Sequence, residues 1–200
     1  MRDVAQTAEP PSLVVQPEVG RLLGSSERYE KKFSDLSGLY RDESAFQGQL
    51  RSRGEKIVYW VESSTPEESP GALTVGLSVL EPGQVGDEFA MTRGHLHANP
   101  EHAELYYGIA GSGVMLLDTV DGESRALPIT PGVAVHVPGN WIHRSVNVGR
   151  DRLVTLFTYA TLAGQNYDII ERAGGMSQLV VTDGGTWTRR ANPDHRGYRA

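Results

Sequence analysis

Short apolar runs separated by Gly and Pro recur along the chain from residue 57 to residue 181, and they constrain the fold more than any other feature of the sequence. Runs of this length that are rich in Val, Ile, Leu and aromatic residues are typical of β-strands, and Gly and Pro between them are typical of turns. The predicted strands are 57–61, 73–80, 104–109, 114–117, 133–137, 153–159 and 179–181. Regular spacing of this kind predicts an all-β sandwich or barrel.

The first quarter of the chain has a different pattern. Residues 1–25 contain several prolines and little apolar sequence, so we predict an N-terminal arm that is flexible or adds an edge strand. The segment 26–49 carries the main helical signal, in the charged run 27–32 and again at 42–46, and we expect short peripheral helices there. Residues 26–200 are predicted to form a single domain.

Composition excludes several classes of function. A formal net charge of −6 argues against a nucleic-acid partner, which usually requires a basic face. The chain has no cysteine, so it has neither disulfides nor thiolate metal ligands. The longest apolar stretches, such as 153–156, are far shorter than the ~20 residues needed to span a bilayer. We therefore expect a cytoplasmic protein with no membrane partner.

Two histidines separated by one residue, His95 and His97, stand a short distance before Glu104. On a β-strand both imidazoles point to the same side, because side chains alternate with a period of two. The pair Asn99-Pro100 predicts a turn between His97 and Glu104, and a Pro-Gly turn precedes His143. Three neutral imidazoles and one carboxylate suit Fe, Mn, Ni or Zn and leave positions open for water or substrate. The pattern therefore predicts a reactive metal site.

Three other features have a structural interpretation. His102 lies in a polar turn, and His136 alternates with two valines and faces away from them, so we predict that neither is a metal ligand. The segment Gly111-Ser112-Gly113 resembles a phosphate-binding loop only superficially, because no helix follows it. We predict a tight hairpin at this position.

The histidine motifs together resemble the cupin signature, in which H-x-H, a glutamate and a glycine form one motif and P-G, a proline and a histidine followed by an asparagine form the other. Gly111 stands seven residues after Glu104, and Asn147 stands four residues after His143. The chain is more closely similar to the cupin-type phosphoglucose isomerases of archaea and some bacteria, over about residues 35–195. The segments that carry this likeness are 92–98, 103–106, 113–117, 137–147 and 159–167.

This resemblance implies an all-β cupin fold, a double-stranded β-helix or jelly-roll barrel with short peripheral N-terminal helices. It implies metal ligands at His95, His97, Glu104 and His143, which would hold one divalent ion per chain, with Fe²⁺ preferred over Mn²⁺, Ni²⁺ or Zn²⁺. The substrate's phosphate would be held near Ser78, Thr92, Gly94 and Tyr159, and the sugar near Tyr106 and Tyr167. Arg93 and Arg144 are alternative phosphate ligands.

One position departs from the family pattern. The family's A-G-H-D-Y reads Ala163-Gly164-Gln165-Asn166-Tyr167, so Gln165 replaces a histidine of the site. Glutamine can hydrogen-bond a sugar oxygen but cannot carry a proton near neutral pH. We therefore expect either a slower reaction or a different substrate.

The function implied is metal-dependent interconversion of glucose 6-phosphate and fructose 6-phosphate through a cis-enediol. Glu104 is the candidate base, and Tyr106 or Tyr167 would orient it or relay the proton of ring opening. The resemblance also implies a homodimer. Three alternatives remain open: an isomerase of another sugar or sugar phosphate, a non-catalytic sugar-binding cupin, and an iron oxygenase that uses the same four ligands.

Overall fold

The computed structural model describes residues 9–199, and most of its elements are β-strands. The strands are β1 Val14–Gln16, β2 Arg21–Leu23, β3 Glu27–Lys32, β4 Ile57–Ser64, β5 Leu73–Leu80, β6 Gln84–Val85, β7 Glu88–Met91, β8 Glu104–Ala110, β9 Gly113–Thr119, β10 Ser124–Ile129, β11 Ala134–Val137, β12 Trp141–Asn147, β13 Leu153–Ala160, β14 Gln178–Asp183 and β15 Thr186–Ala191. The helices are α1 Glu43–Arg53 and α2 Asp168–Arg172, with 3₁₀ turns at Phe33–Leu36 and Thr161–Ala163. Among residues 9–199, neither helix is long and apolar enough to cross a membrane.

Two antiparallel sheets face each other and form the barrel. The first sheet has the strand order β11-β8-β13-β5-β4-β3, and the second has the order β10-β9-β12-β7-β14-β15 with β6 beside β7. One large apolar core lies between them, with Leu80 and Phe157 from the first sheet and Met115 and Leu117 from the second. Between β7 and β14 the chain crosses repeatedly from one sheet to the other, as in a jelly roll. The prediction of an all-β cupin barrel is confirmed.

The helical prediction is confirmed at α1 and wrong at Glu27–Lys32. Helix α1 begins after Asp42, whose carboxylate accepts the backbone N–H of Ala45 at 2.8 Å. Glu27–Lys32 is instead strand β3, the edge strand of the first sheet, paired with β4. Its charged side chains suit an exposed edge, and tertiary pairing overrides the weak local propensity.

The predicted hairpin at Gly111-Ser112-Gly113 is also wrong. Strands β8 and β9 on either side of it belong to different sheets and do not pair. Gly111 has φ +80°, and a Cβ there would lie 2.2 Å from the Arg152 carbonyl oxygen. The glycine is therefore required for a turn that passes close to another loop while the chain crosses between the sheets.

The N-terminal strands β1 and β2 form a hairpin on the outer face of the first sheet. Leu22 packs against Trp60 and Leu77, and the Trp60 indole N–H donates to the Gly20 carbonyl at 2.8 Å. The division of the chain into an arm, 1–25, and a cupin domain, 26–200, stays a prediction, and residues 1–8 of that arm lie outside the described residues.

A buried carboxylate fastens this hairpin to the barrel. Glu62 on β4 accepts the backbone N–H of Leu22 at 2.5 Å, and it pairs with Arg21 and Arg28 at 2.6 Å each. Its side chain is 1% exposed, whereas both arginines are partly solvated. Burial alone would raise the pKa of Glu62, but these three partners lower it below its ordinary value. The carboxylate is therefore charged and satisfied in the folded state.

Glu62→Ala is expected to reduce the free energy of unfolding by about 2 kcal/mol, because the buried Leu22 N–H loses its acceptor. Glu30→Ala is the control: Glu30 pairs with the same Arg28 at an exposed position, and we expect its loss to cost less than about 0.5 kcal/mol. The pKa of Glu62 is lower in the folded protein than in the unfolded chain. Its contribution to stability is therefore present above the unfolded-state pKa and is lost as the pH falls through the folded-state pKa. Urea unfolding measures the loss of unfolding free energy in both variants. Equal losses in Glu62→Ala and Glu30→Ala would contradict the prediction.

Candidate metal centre

The four predicted ligands lie together at one end of the barrel. His95 and His97 lie on the segment after β7, Glu104 begins β8, and His143 is in β12. His95 and His143 exchange two backbone hydrogen bonds, at 3.0 and 2.9 Å. This pairing is an isolated bridge, so the expected regular strand through His95 and His97 is absent, although both rings still face the cluster. The donor atoms of all four residues lie within 4.8 Å of one another.

Hydrogen bonds to backbone carbonyls fix two of the imidazoles. His97 Nδ1 lies 2.9 Å from the His102 carbonyl oxygen, and His143 Nδ1 lies 3.0 Å from that of Trp141. A carbonyl only accepts, so each Nδ1 carries a proton, and in the neutral form of either ring the lone pair lies on Nε2. Both Nε2 atoms point at the Oε2 of Glu104, at 3.1 and 3.0 Å. Acceptors that face one another in this way fit a cation between them.

The third imidazole, that of His95, also directs its Nε2 toward Glu104. His95 Nε2 lies 3.9 Å from Glu104 Oε2 and is buried with no hydrogen-bond partner among the described residues. Burial, together with the neighbouring His143, lowers the pKa of His95 to about 3, so the ring is neutral. Burial alone would raise the pKa of Glu104, but hydrogen bonds with His143 and His97 lower it to about 2. A neutral imidazole and an ionised carboxylate are the protonation states that bind metal.

A cavity of about 340 Å³ opens above this cluster, and we call it the inner cavity. Its walls include all the residues predicted to hold the sugar phosphate, namely Ser78, Thr92, Gly94, Tyr106, Tyr159, Gln165 and Tyr167. Gly94 has φ +74°, and within residues 9–199 its N–H has no hydrogen-bond acceptor. Backbone N–H groups without partners suit an anion such as phosphate.

His136 and the adjacent tyrosines Tyr106 and Tyr107 lie as the alternation of side chains along a strand predicts, and His102 lies outside the strands. His136 is exposed between two buried valines on β11. Tyr106 is 8% exposed and lines the inner cavity, whereas Tyr107 is 42% exposed on the opposite face of β8. His102 contributes its backbone carbonyl to His97, a contact that its side chain does not make.

Gln165 lies at the mouth of the inner cavity with an exposed side chain, and its amide donates to the Tyr159 hydroxyl at 3.0 Å. Burial raises the pKa of the Tyr159 phenol, which therefore stays protonated. Gln165 is therefore connected to the site by this hydrogen bond to Tyr159, the residue predicted to contact the phosphate.

Sequence reasoning missed one wall of the inner cavity. Tyr29 on β3 and Tyr59 on β4 line it, with their rings edge to face at 6.4 Å. Tyr59 and Val61 alternate on β4 toward the cavity, and Val61 lies directly beside Ser78 on β5. The period of two along 57–61 could have placed Tyr59 on this face, but Tyr29 was hidden because its segment was predicted to be helical.

A jelly-roll barrel that presents three imidazoles and one carboxylate to a polar cavity defines this protein as a cupin with a candidate metal centre. The model of the glucose-6-phosphate isomerase family matches residues 30–196, and the chain belongs to that family of aldose-ketose isomerases. The glucose-6-phosphate isomerase of Sinorhizobium medicae is 42% identical over 94% of this chain and 88% of its own length. That of Thermococcus kodakarensis is 40% identical over 88% of this chain and 91% of its own.

The family resemblance inferred from the motifs is therefore confirmed. A solved structure of oxalate decarboxylase from Bacillus subtilis has a TM-score of 0.44 and 24% identity over 54% of this chain and 26% of that chain. That match is partial in both chains.

Proposed function

We propose that this protein interconverts glucose 6-phosphate and fructose 6-phosphate with the help of one divalent metal ion. The observation that carries the proposal is the set of acceptor atoms that converge on Glu104 Oε2 at the base of the inner cavity. The family membership supports the choice of reaction and of a sugar phosphate as substrate.

His95, His97, Glu104 and His143 would hold the ion, and Fe²⁺ is the metal we propose for it. A divalent ion bound there would act as a Lewis acid and stabilise negative charge on the oxygens of a cis-enediol. The donor set fits this role because it is buried and its carboxylate is ionised.

Glu104 is the proposed base that removes the proton from carbon 2 and returns it to carbon 1. Its Oε2 faces His97 and His143, which leaves Oε1 for the proton. Burial and the neighbouring carboxylate raise the pKa of Tyr106 well above its usual range, so its phenol can donate but does not ionise. Tyr106 would therefore orient Glu104 or the sugar, and Tyr167, which also lines the inner cavity, would contact the sugar.

The phosphate would be held by hydroxyl groups and backbone rather than by lysine. Ser78 and Tyr159 lie on the paired strands β5 and β13, and Thr92 lies beside β12, where its hydroxyl accepts the Ser145 N–H at 3.1 Å. Together with the N–H of Gly94 they surround one side of the inner cavity. We also propose a homodimer that acts in the cytoplasm, which light scattering and cell fractionation would test.

A coupled assay on the metal-loaded protein, with oxygen excluded, tests the proposed reaction. We expect turnover of glucose 6-phosphate and none of free glucose. Turnover of mannose 6-phosphate alone would favour an isomerase of another sugar phosphate, which the exposed Gln165 makes the second candidate. Absence of turnover on every sugar would contradict both, and activity that requires oxygen would indicate an oxygenase.

Gln165→His is expected to raise kcat on glucose 6-phosphate, by up to about 10²-fold, because imidazole can carry a proton near neutral pH and an amide cannot. Gln165→Leu is the control: it also loses the hydrogen bond to Tyr159 but adds no titratable group, so it should not raise kcat. Steady-state kinetics on the same sugar phosphates measures both. If Gln165→His instead leaves glucose 6-phosphate turnover low and weakens binding of a different sugar phosphate, that other sugar is the substrate.

A further inference from the structure

A second cavity, of about 490 Å³, lies on the other side of β12 from the metal cluster, and we call it the outer cavity. Its walls come from the segment 35–41, from the end of α2 and the turn that follows, and from the C-terminal residues Asn192 and Asp194. The volume is in the range of small-molecule sites. The reaction proposed above uses none of these wall segments.

Arg144 is a buried arginine in the lining of this cavity. On β12 it alternates with His143 and Ser145, so the strand directs its side chain to the side opposite theirs, although the residue also borders the inner cavity. It is 5% exposed. The guanidinium donates to the Arg93 carbonyl at 2.8 Å and to the sulfur of Met91, and its buried Nε has no hydrogen-bond partner within residues 9–199.

The residues that the structure describes include no carboxylate oxygen within 4.0 Å of this guanidinium. Glu88 and Asp118 are the buried carboxylates whose charges reach it, from beyond that distance. Asp118 is already occupied by Ser177 and Tyr198, and one oxygen of Glu88 accepts the backbone N–H of Arg41. A buried cation without a direct anionic partner is costly, and a bound anion would supply one.

Two further arginines line the same cavity, and their ion pairs are weak. Arg41 pairs with Asp194 at 3.2 Å, and Arg93 pairs with Glu171 at 3.6 Å. All four side chains are more than a third exposed, so these pairs contribute little to stability and can exchange partners. A ligand anion can therefore recruit Arg41 and Arg93 without breaking a buried contact.

We propose that the outer cavity is a second anion site, which binds a small hydroxylated molecule carrying a phosphate or carboxylate group against Arg144, with Arg41 and Arg93 beside it. Polar residues of the wall, including Ser37, Asp35 and Asn192, suit the hydroxyl groups of such a ligand. Arg93, Arg144 and Tyr167 line both cavities, and Arg93 lies over the Tyr167 ring at 5.4 Å. A ligand in the outer cavity would therefore contact residues that also form a wall of the inner cavity.

Calorimetric titration of the metal-loaded protein with glycerol 3-phosphate tests the proposal. The background is a Ser78→Ala, Thr92→Val double variant, which weakens binding in the inner cavity, so that the remaining binding reports the outer one. In this background we expect one equivalent bound per chain at low ionic strength. Glycerate, titrated in parallel, shows whether phosphate or carboxylate is the preferred group.

Adding Arg144→Met is expected to weaken this binding at least about 10-fold, since a charged hydrogen-bond donor is lost. Arg41→Ala should weaken it as well, and because Arg41 is half exposed this variant keeps the test valid if Arg144→Met does not fold. Arg51→Ala, an exposed arginine of α1 away from both cavities, is the matched control and should leave the affinity unchanged. The proposal is overturned if the background variant binds neither anion, or if Arg41→Ala and Arg144→Met both bind as tightly as Arg51→Ala.

Discussion

Removing the metal with EDTA is expected to abolish isomerase activity completely, and Fe²⁺, Mn²⁺ or Ni²⁺ is expected to restore it. The reason is that the negative charge of the enediol would develop beside three imidazoles and an ionised carboxylate, which would hold the metal ion but do not themselves stabilise that charge. Zn²⁺ should restore less activity, because it prefers four ligands and the protein already supplies four. Metal content and turnover are measured on the same samples.

Circular dichroism of the EDTA-treated protein is the control for this experiment. The main apolar core extends along the barrel between the two sheets, so we expect the β-sheet spectrum to persist without metal. Full turnover by protein shown to be metal-free would refute the proposed mechanism. Loss of the β-sheet spectrum would instead indicate that the ion is needed to fold the barrel.

His143→Ala is expected to lower metal affinity and kcat/KM by at least about 10²-fold each, because it removes one of four ligands and the only one contributed by β12. The backbone bonds that His143 exchanges with His95 do not depend on its side chain, so the barrel should still close. Elemental analysis and steady-state kinetics measure the two losses.

His136→Ala and His102→Ala are the matched controls and should keep both metal and activity. His136 is exposed on β11, and the contact of His102 with His97 uses its backbone carbonyl, which alanine retains. An undiminished metal content in His143→Ala would show that the ligand set is wrong. Metal loss in His136→Ala would show that the alternation along β11 has been misinterpreted.

Several features followed from local patterns in the sequence. The period of two along β8 and β11 correctly separated Tyr106 from Tyr107 and turned His136 outward. Residues that are neighbours on one strand face opposite ways whatever the rest of the fold does. The choice of His95, His97, Glu104 and His143 as one cluster came from motif spacing, and the structure brings their donor atoms together.

Other features depended on contacts between distant parts of the chain. Strand β3 has a charged sequence that favours neither strand nor burial, and only its pairing with β4 makes it a strand and places Tyr29 in the inner cavity. The turn at Gly111 crosses between sheets, because the partners of β8 and β9 lie elsewhere in the chain. Pairing energies of this kind are long-range, and local propensity does not contain them.

The sequence by itself determined the all-β class of the fold, because strand alternation and turn chemistry are local properties of a chain, and the spacing of its motifs singled out the four candidate metal ligands. Only the tertiary structure decided how these donors are oriented, with the carbonyls of His102 and Trp141 holding two imidazoles toward Glu104. It also decided that a second cavity, lined in part by Arg144, lies on the far side of β12. Which polar groups face one another across a barrel depends on strand register between distant segments, and that register is fixed by packing of the whole core.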